Sequence, residues 1–238
     1  MSKAALLKQR EQRILAAALS AAREKGALDF RMADVARVAE CSVGTLYGHF
    51  LSKEDMTAAL VQSVIERHHL WLDEVDNLPL SYSEKVIVLL MSEWHRLAQD
   101  PVLTQLEMLT LYTELWQRVT EPCQHTLLAA KQHRPKCMLE LLRKAAVEGV
   151  WQGDEERGHQ LVESLCALLI GGQLRGAEYG AAPVAVWQKG TFLMQSLMLQ
   201  LQAYGFAAPE ADWQYRCIQA LAHNPHLLTL FGVQDLAA

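Results

Sequence analysis

Residues 32–50 read MADVARVAECSVGTLYGHF, two short apolar-patterned segments joined by the polar turn Glu40-Cys41-Ser42. This is a helix-turn-helix pattern. Val35, Ala36 and Ala39 are set to face Val43 and Leu46, and the small alanines let the two helices cross closely. Ser42 stands where an N-cap of the second helix belongs. That helix offers a hydroxyl at Thr45, a phenol at Tyr47, an imidazole at His49 and a nearly bare backbone at Gly44, groups that suit phosphates and base edges in a major groove. Tyr47 is expected to point outward, and Phe50, just before the Ser52 cap of the next helix, to lie in the core.

Working outward, Ile14, Leu15, Ala18, Leu19 and Ala22 make one apolar stripe on a first helix over 4–25, with Gly26 as its stop. After Phe50-Leu51, Ser52 caps a long helix with Glu54 and Asp55 in its first turn, where carboxylates meet the positive end of the helix dipole. It runs to about Asn77. Further helices are expected over 82–99, 101–119, 121–149 with a break near Pro135, 155–180 and 184–204, then a short carboxy-terminal pair. No glycine occurs between Gly48 and Gly149, and no β-branched run alternates with polar residues, so a sheet has nowhere to form. The fold class is all-α: an amino-terminal three-helix head carrying the helix-turn-helix, and a larger helical body.

In this segment the sequence resembles the TetR/AcrR family of bacterial transcriptional regulators. The matching residues are Asp34-Val35-Ala36, Ser42-Val43-Gly44-Thr45-Leu46-Tyr47, His49-Phe50 and Ser52-Lys53-Glu54. The resemblance is close over about the first quarter of the chain and rests on length, helix content and order beyond it. It implies that Thr45, with Val43 and Gly44, sits against bases, while Tyr47, His49 and Lys53 hold phosphates. Ser42 belongs to the same interface. Two positions depart from the family pattern. Arg31 stands where a small hydroxyl residue usually caps the second helix, so the cap must come from elsewhere, with Asp29 as the nearest choice, and Arg31 becomes a phosphate contact. Glu40 replaces the usual turn glycine, and holding a left-handed backbone there costs roughly 1 kcal/mol.

The charge distribution agrees with a head and a body of different character. Of 238 residues, 22 are Lys or Arg and 27 Asp or Glu, for a net charge of -5, which argues against a protein that coats nucleic acid over its whole surface. Through Lys53 there are nine basic and five acidic residues; the remainder has thirteen and twenty-two. The head seeks anions and the body is acidic. Five scattered cysteines without a C-x-x-C pair fit neither a disulfide framework nor a zinc ribbon. His68, His69, His125, His133, Cys123 and Cys137 show no recognised metal-ligand spacing, and no cofactor or catalytic motif is present. The start MSKAALLKQREQR has no apolar signal segment and no stretch is long enough to span a membrane, so a cytoplasmic protein is expected.

A short recognition helix needs a symmetric partner, so such proteins bind DNA as dimers on half-sites about one helical turn apart. The last two long helices are the expected interface: Trp187, Leu193, Met194, Leu197, Met198 and Leu201 form a broad apolar face, and Gly171-Gly172 and Gly176 allow close approach. Gly172, Leu193, Leu197 and Leu201 are its predicted centre, although the same residues could complete the chain's own core. Met91, Trp94, His95, Met108, Tyr112, Trp116 and Trp151 fall at helical spacing and could be core or pocket; family resemblance points to a pocket for a hydrophobic or aromatic small molecule. The expected division is a DNA-binding domain over 1–53 and a dimerisation and ligand-binding domain over 54–238. The function so read is a non-enzymatic, homodimeric regulator, a repressor released from a palindromic operator by an apolar ligand. Two rival readings are a DNA-binding dimer controlled by a protein partner or by oxidation of Cys41, and a helical adaptor whose helix-turn-helix is structural.

Overall fold

The computed structural model describes residues 2–179, 192–207 and 210–222, and among them it contains α-helices and no strand. In chain order these are α1 (Lys3–Lys25), α2 (Met32–Val38), α3 (Val43–Tyr47), α4 (Lys53–Val75), α5 (Tyr82–Gln99), α6 (Pro101–Leu109), α7 (Thr113–Trp116), α8 (Glu121–Val147), α9 (Glu155–Tyr179), α10 (Phe192–Ala203) and α11 (Trp213–Ala222). The first part of the predicted 184–204 helix, with Trp187, and the chain beyond Ala222 lie outside the described residues.

The chain divides into two compact units. The first joins the residues up to Arg67 to Asp100–Lys131, around a core in which Ile14, Ala18, Phe30, Val35, Leu46, Met56, Leu106 and Leu127 are buried. The second joins His68–Gln99 to the residues from Gln132 onward, around Leu72, the run Val86–Met91, Leu142, Trp151, Leu165 and Leu197. Packing therefore does not divide the chain at residue 53: α6, the connection after α7 and the first turns of α8 bury Leu103, Leu106, Val119 and Leu127 in the same core as the head helices.

Two predicted helices differ from those observed. The segment 101–119 is two helices, because α6 tightens at its end into bonds from Thr110, Leu111 and Tyr112 N–H to carbonyls three residues back. The buried Thr110 hydroxyl donates to the Glu107 carbonyl at 2.6 Å and accepts from Lys131 Nζ at 2.6 Å, which holds the turn. The segment 121–149 shows the opposite: α8 runs unbroken through Pro135. Proline there removes one helical hydrogen bond at a cost of about 3 kcal/mol, and burial of Leu127 and Ala130 before it and Met138, Leu141 and Leu142 after it keeps the helix continuous.

The second unit is tied together by polar contacts around Glu84, whose side chain is buried. Ser81 and Glu84 form a capping box at the start of α5: Glu84 accepts from Ser81 N–H at 2.8 Å, and Ser81 Oγ accepts from Glu84 N–H at 3.4 Å. The same carboxylate receives Arg216 of α11 through Nη2 at 2.6 Å and Nε at 3.2 Å. Burial pushes the Glu84 carboxyl up, but the hydrogen bonds from Ser81 and Arg216 outweigh it and hold it below its usual range. Since the folded value is the lower one, this pairing stabilises the fold above the ordinary glutamate range and is lost as pH falls through the folded value. Glu84→Gln should cost about 2 kcal/mol in urea unfolding at neutral pH, with the gap between variant and wild type closing as the pH falls below the ordinary glutamate range. An equal gap at all pH values would show that the charge of Glu84 does not matter.

Candidate nucleic-acid interface

The turn between α2 and α3 is closed from both sides. At the end of α2, Cys41 N–H donates to the Ala36 carbonyl at 3.0 Å and Glu40 N–H to the Arg37 carbonyl at 3.4 Å, the two bonds of a Schellman motif. Glu40 carries the left-handed backbone this requires, with φ 52°, the only non-glycine residue with positive φ among those described. At the start of α3, Ser42 Oγ accepts from Thr45 N–H at 3.0 Å and bonds the Thr45 hydroxyl at 2.9 Å. Ser42 is the N-cap that its place in the sequence indicates.

The cap of α2 is different from the expected one. Asp34, in the first turn, accepts from Arg31 N–H at 2.8 Å, so the carboxylate comes from inside the helix and not from Asp29. Arg31 N-caps α2 with its backbone in an extended conformation, and its side chain lines a cleft of about 580 Å³ with Asp29, Val43, Tyr47 and Lys53.

Successive helical residues turn by about 100°, which sorts α3 into faces. Leu46 points inward and is wholly buried. Opposite it lie Gly44 and Gly48, both exposed, so the outermost surface of the helix is bare backbone. Val43 and Tyr47 occupy one flank, with Tyr47 50% exposed. Val43 thus faces out and does not pack on Val35 and Ala36 as its apolar character suggested; Leu46 does that alone. Thr45, half-buried, occupies the other flank and lines a second cleft of about 320 Å³ with Arg10, Arg13, Glu40 and Cys41. Phe50 is buried in the core as expected, and His49 is half-buried with its ring 6.3 Å from that of Phe50.

Lys53 is less free than its place in the sequence suggests. Its Nζ donates to the Leu28 carbonyl at 2.7 Å and sits 4.2 Å from the centre of the Phe30 ring. Burial draws its amine below the usual lysine range, while Glu54 and Asp29 oppose the shift. The ammonium still lines the cleft shared with Arg31 and Tyr47.

Residues 14–60 match the model of the family described as bacterial regulatory proteins, tetR family. The match takes in α2, α3 and the adjoining parts of α1 and α4. No curated protein matches the chain. Among solved structures, similar folds include the transcriptional regulator FadR from Bacillus subtilis in complex with stearoyl-CoA, 18% identical, covering 82% of this chain and 99% of that one with a TM-score of 0.61. The fatty acid degradation regulator FadR from Bacillus halodurans is 20% identical over 82% of this chain and 99% of that one, TM-score 0.57. A tetR-family transcriptional regulator from Mesorhizobium loti is 18% identical over 86% of this chain and 100% of that one, TM-score 0.57. The tetR-type fold thus extends over most of the chain, head and helical body together.

The residues predicted to line a pocket are divided between the two units. Met108, Tyr112 and Trp116 belong to the first unit, and Met91 and Trp151 to the second. The stripe assumed one helix over 101–119; with the turn at Thr110–Tyr112, Tyr112 is 59% exposed and Trp116 half-buried against the first core. Met91 is wholly buried. Trp151 is a packed core residue: its indole N–H donates to the Tyr204 carbonyl at 2.7 Å, its ring stacks on Phe206 at 5.9 Å, and a Cβ added at Gly153 would fall 1.9 Å from it. The side chains of Trp94 and His95 lie outside the described ones.

The predicted dimer residues are corrected in the same way. Leu193, Leu197 and Leu201 are buried in the core of a single chain, Leu197 completely, and Gly172 is buried with them. Their spacing marks the inner face of α10. The outer surface of these two helices carries Ala167 and Gly171 on α9 and Leu199 on α10, the last 66% exposed.

Of the histidines and cysteines considered as metal ligands, His69 and His133 stack at 4.1 Å, and among the described residues no group of three or more His, Cys, Asp or Glu is placed to hold a metal. Burial pushes the Cys217 thiol up to about 12 and those of Cys123 and Cys166 upward, away from thiolate chemistry. No helix among the described residues is long and apolar enough to cross a membrane.

Gly44 has no structural reason to be glycine. A Cβ there would meet nothing closer than Ser42 Oγ at 3.7 Å, and alanine in a helix is favoured over glycine by roughly 0.5–1 kcal/mol. Gly44→Ala should therefore melt at or above the wild-type temperature and yet bind DNA more weakly, as the methyl keeps the backbone off the bases. Unchanged affinity in a gel-shift titration would take Gly44 out of the interface.

Proposed function

We propose that the protein is a homodimeric, one-component transcription regulator that represses from a palindromic operator and is released by an apolar small molecule. The observation that carries the DNA-binding part is the outward face of α3: bare backbone at Gly44 and Gly48, Val43 and Tyr47 on one flank and Thr45 on the other, on a tetR-family head. In this reading Val43, Gly44 and Thr45 meet bases, Ser42 holds α3 in register, and Arg31, Tyr47, His49 and Lys53 bind phosphates. Residues 1–53 serve DNA, and 54–238 serve dimerisation and ligand binding, with α4 leading out of the head as the element whose displacement shifts the population away from the DNA-binding state.

Dimerisation is assigned to the outer surface of α9 and α10, where Leu199 on α10 and Ala167 and Gly171 on α9 are exposed, and not to Leu197. Leu199→Glu should give a folded monomer by light scattering and circular dichroism that no longer holds a palindromic site. Leu197→Glu should unfold the chain, since it buries an unpaired carboxylate at a cost of several kcal/mol. A Leu199→Glu protein that remains dimeric would move the interface elsewhere.

For the ligand, the fold of FadR from Bacillus subtilis, held with stearoyl-CoA, together with the broad apolar interior of the second unit, supports an acyl compound as the class to test first. Stearoyl-CoA at micromolar concentration should raise the melting temperature, because binding to the folded state alone stabilises it by mass action, and should release bound DNA. Absence of both effects across a series of acyl chain lengths would favour a dimer without acyl input.

A further inference from the structure

The amino-terminal half of α1 belongs to no core. Ser2 starts it, its hydroxyl accepting from Ala5 N–H at 3.2 Å, and the side chains described from Ala5 to Arg13 are exposed apart from half-buried Glu11; burial begins at Ile14. The exposed part is about three turns, roughly 15 Å of helix. It carries Lys8, Arg10 and Arg13 against Glu11 alone.

Most other cations of the head are engaged. Arg23 bonds Asp100 at 2.5 Å, Arg37 and Lys25 bond Glu24 at 2.9 and 3.2 Å, and Lys53 bonds the Leu28 carbonyl. Among the described residues Arg10 and Arg13 make no ion pair. Both line the cleft on the Thr45 flank of α3, with Glu40 the single acidic side chain there. On the other flank, Arg31, Tyr47 and Lys53 line the larger cleft. Thr45 lies about 160–200° around the helix from Val43 and Tyr47, so the two basic clefts bracket α3.

A major groove about 12 Å wide is bounded by a phosphate strand on each side. A helix seated in it needs cations on both flanks to neutralise both strands. We propose that Arg10 and Arg13 form a second phosphate clamp, gripping the strand across the groove from the one met by Arg31, Tyr47 and Lys53. The proposal rests on the DNA-binding reading and extends it to a helix that the helix-turn-helix does not include. The occupant follows from charge complementarity and from continuity with the face of α3.

The test uses the full chain and duplexes that the wild type recovers from a random 40-base-pair pool. The Arg10→Ala/Arg13→Ala pair should keep the wild-type circular dichroism and preferred sequence. The slope of log affinity against log salt should flatten by about 2 per half-site, since each neutralised phosphate contributes about 0.9. Phosphate ethylation interference should disappear on one strand of each half-site and persist on the other, and Arg10→Lys/Arg13→Lys should restore the slope. An unchanged slope with interference on both strands would overturn the clamp while Tyr47→Ala, still weakening binding, upheld the DNA reading. Recovery of no duplex by the wild type would overturn both.

Discussion

Four alanines on one side of α1, Ala17, Ala18, Ala21 and Ala22, are buried, and this lack of side-chain bulk lets α1 and α2 approach closely enough to make a platform. The recognition helix depends on that platform. Five residues cannot hold a helix in water, where nucleation is costly and segments under about 12 residues are marginal. α3 exists because Leu46 is inserted into the α1–α2 core, because Phe50 closes the core behind it, and because Ser42 satisfies the amide of Thr45 in its first turn. A larger side chain at Ala18 or Ala21 would push α2 outward and with it every group that faces the groove.

The parts legible in the sequence were those governed by short-range chemistry. Ser42 and Ser52 cap helices as their positions indicate, Glu40 takes the left-handed turn conformation, and Tyr47 and Phe50 divide between surface and core. What escaped was decided by partners distant along the chain. The turn at Thr110 depends on Lys131, twenty-one residues on; Arg216 finds Glu84 across 132 residues. Periodicity reports that a helix face is apolar but not what it meets, so Leu193, Leu197 and Leu201 look the same as a dimer seam or as a core. Likewise Trp151 has the composition of a pocket wall and the contacts of a packed interior.

The buried charges of the second unit belong to this second kind. Arg134 bonds Glu93 at 2.8 Å with both side chains largely removed from water, whereas Lys144 of α8 bonds Asp76 beyond the end of α4 with both side chains still about a third exposed. Removing Arg134 from the first pair leaves in Glu93 a charge that water hardly reaches, which costs more than the pair itself contributes. These contacts act as constraints on which helices pair and at what register, whereas the apolar core alone would tolerate several arrangements.

The burial of Lys53 has a chemical consequence for any anion that comes to it. With its ammonium against the Phe30 ring and the Leu28 carbonyl, and its proton affinity lowered by lost hydration, the free protein gives up this proton at a lower pH than an exposed lysine does. A phosphate brought against the same nitrogen favours the charged form and restores that affinity. If a DNA phosphate is that anion, association is coupled to proton uptake, and affinity falls as pH rises through the free-state value. Buffers of different ionisation enthalpy would report this as a difference in apparent heat, to which the guanidinium groups nearby, charged throughout, add nothing.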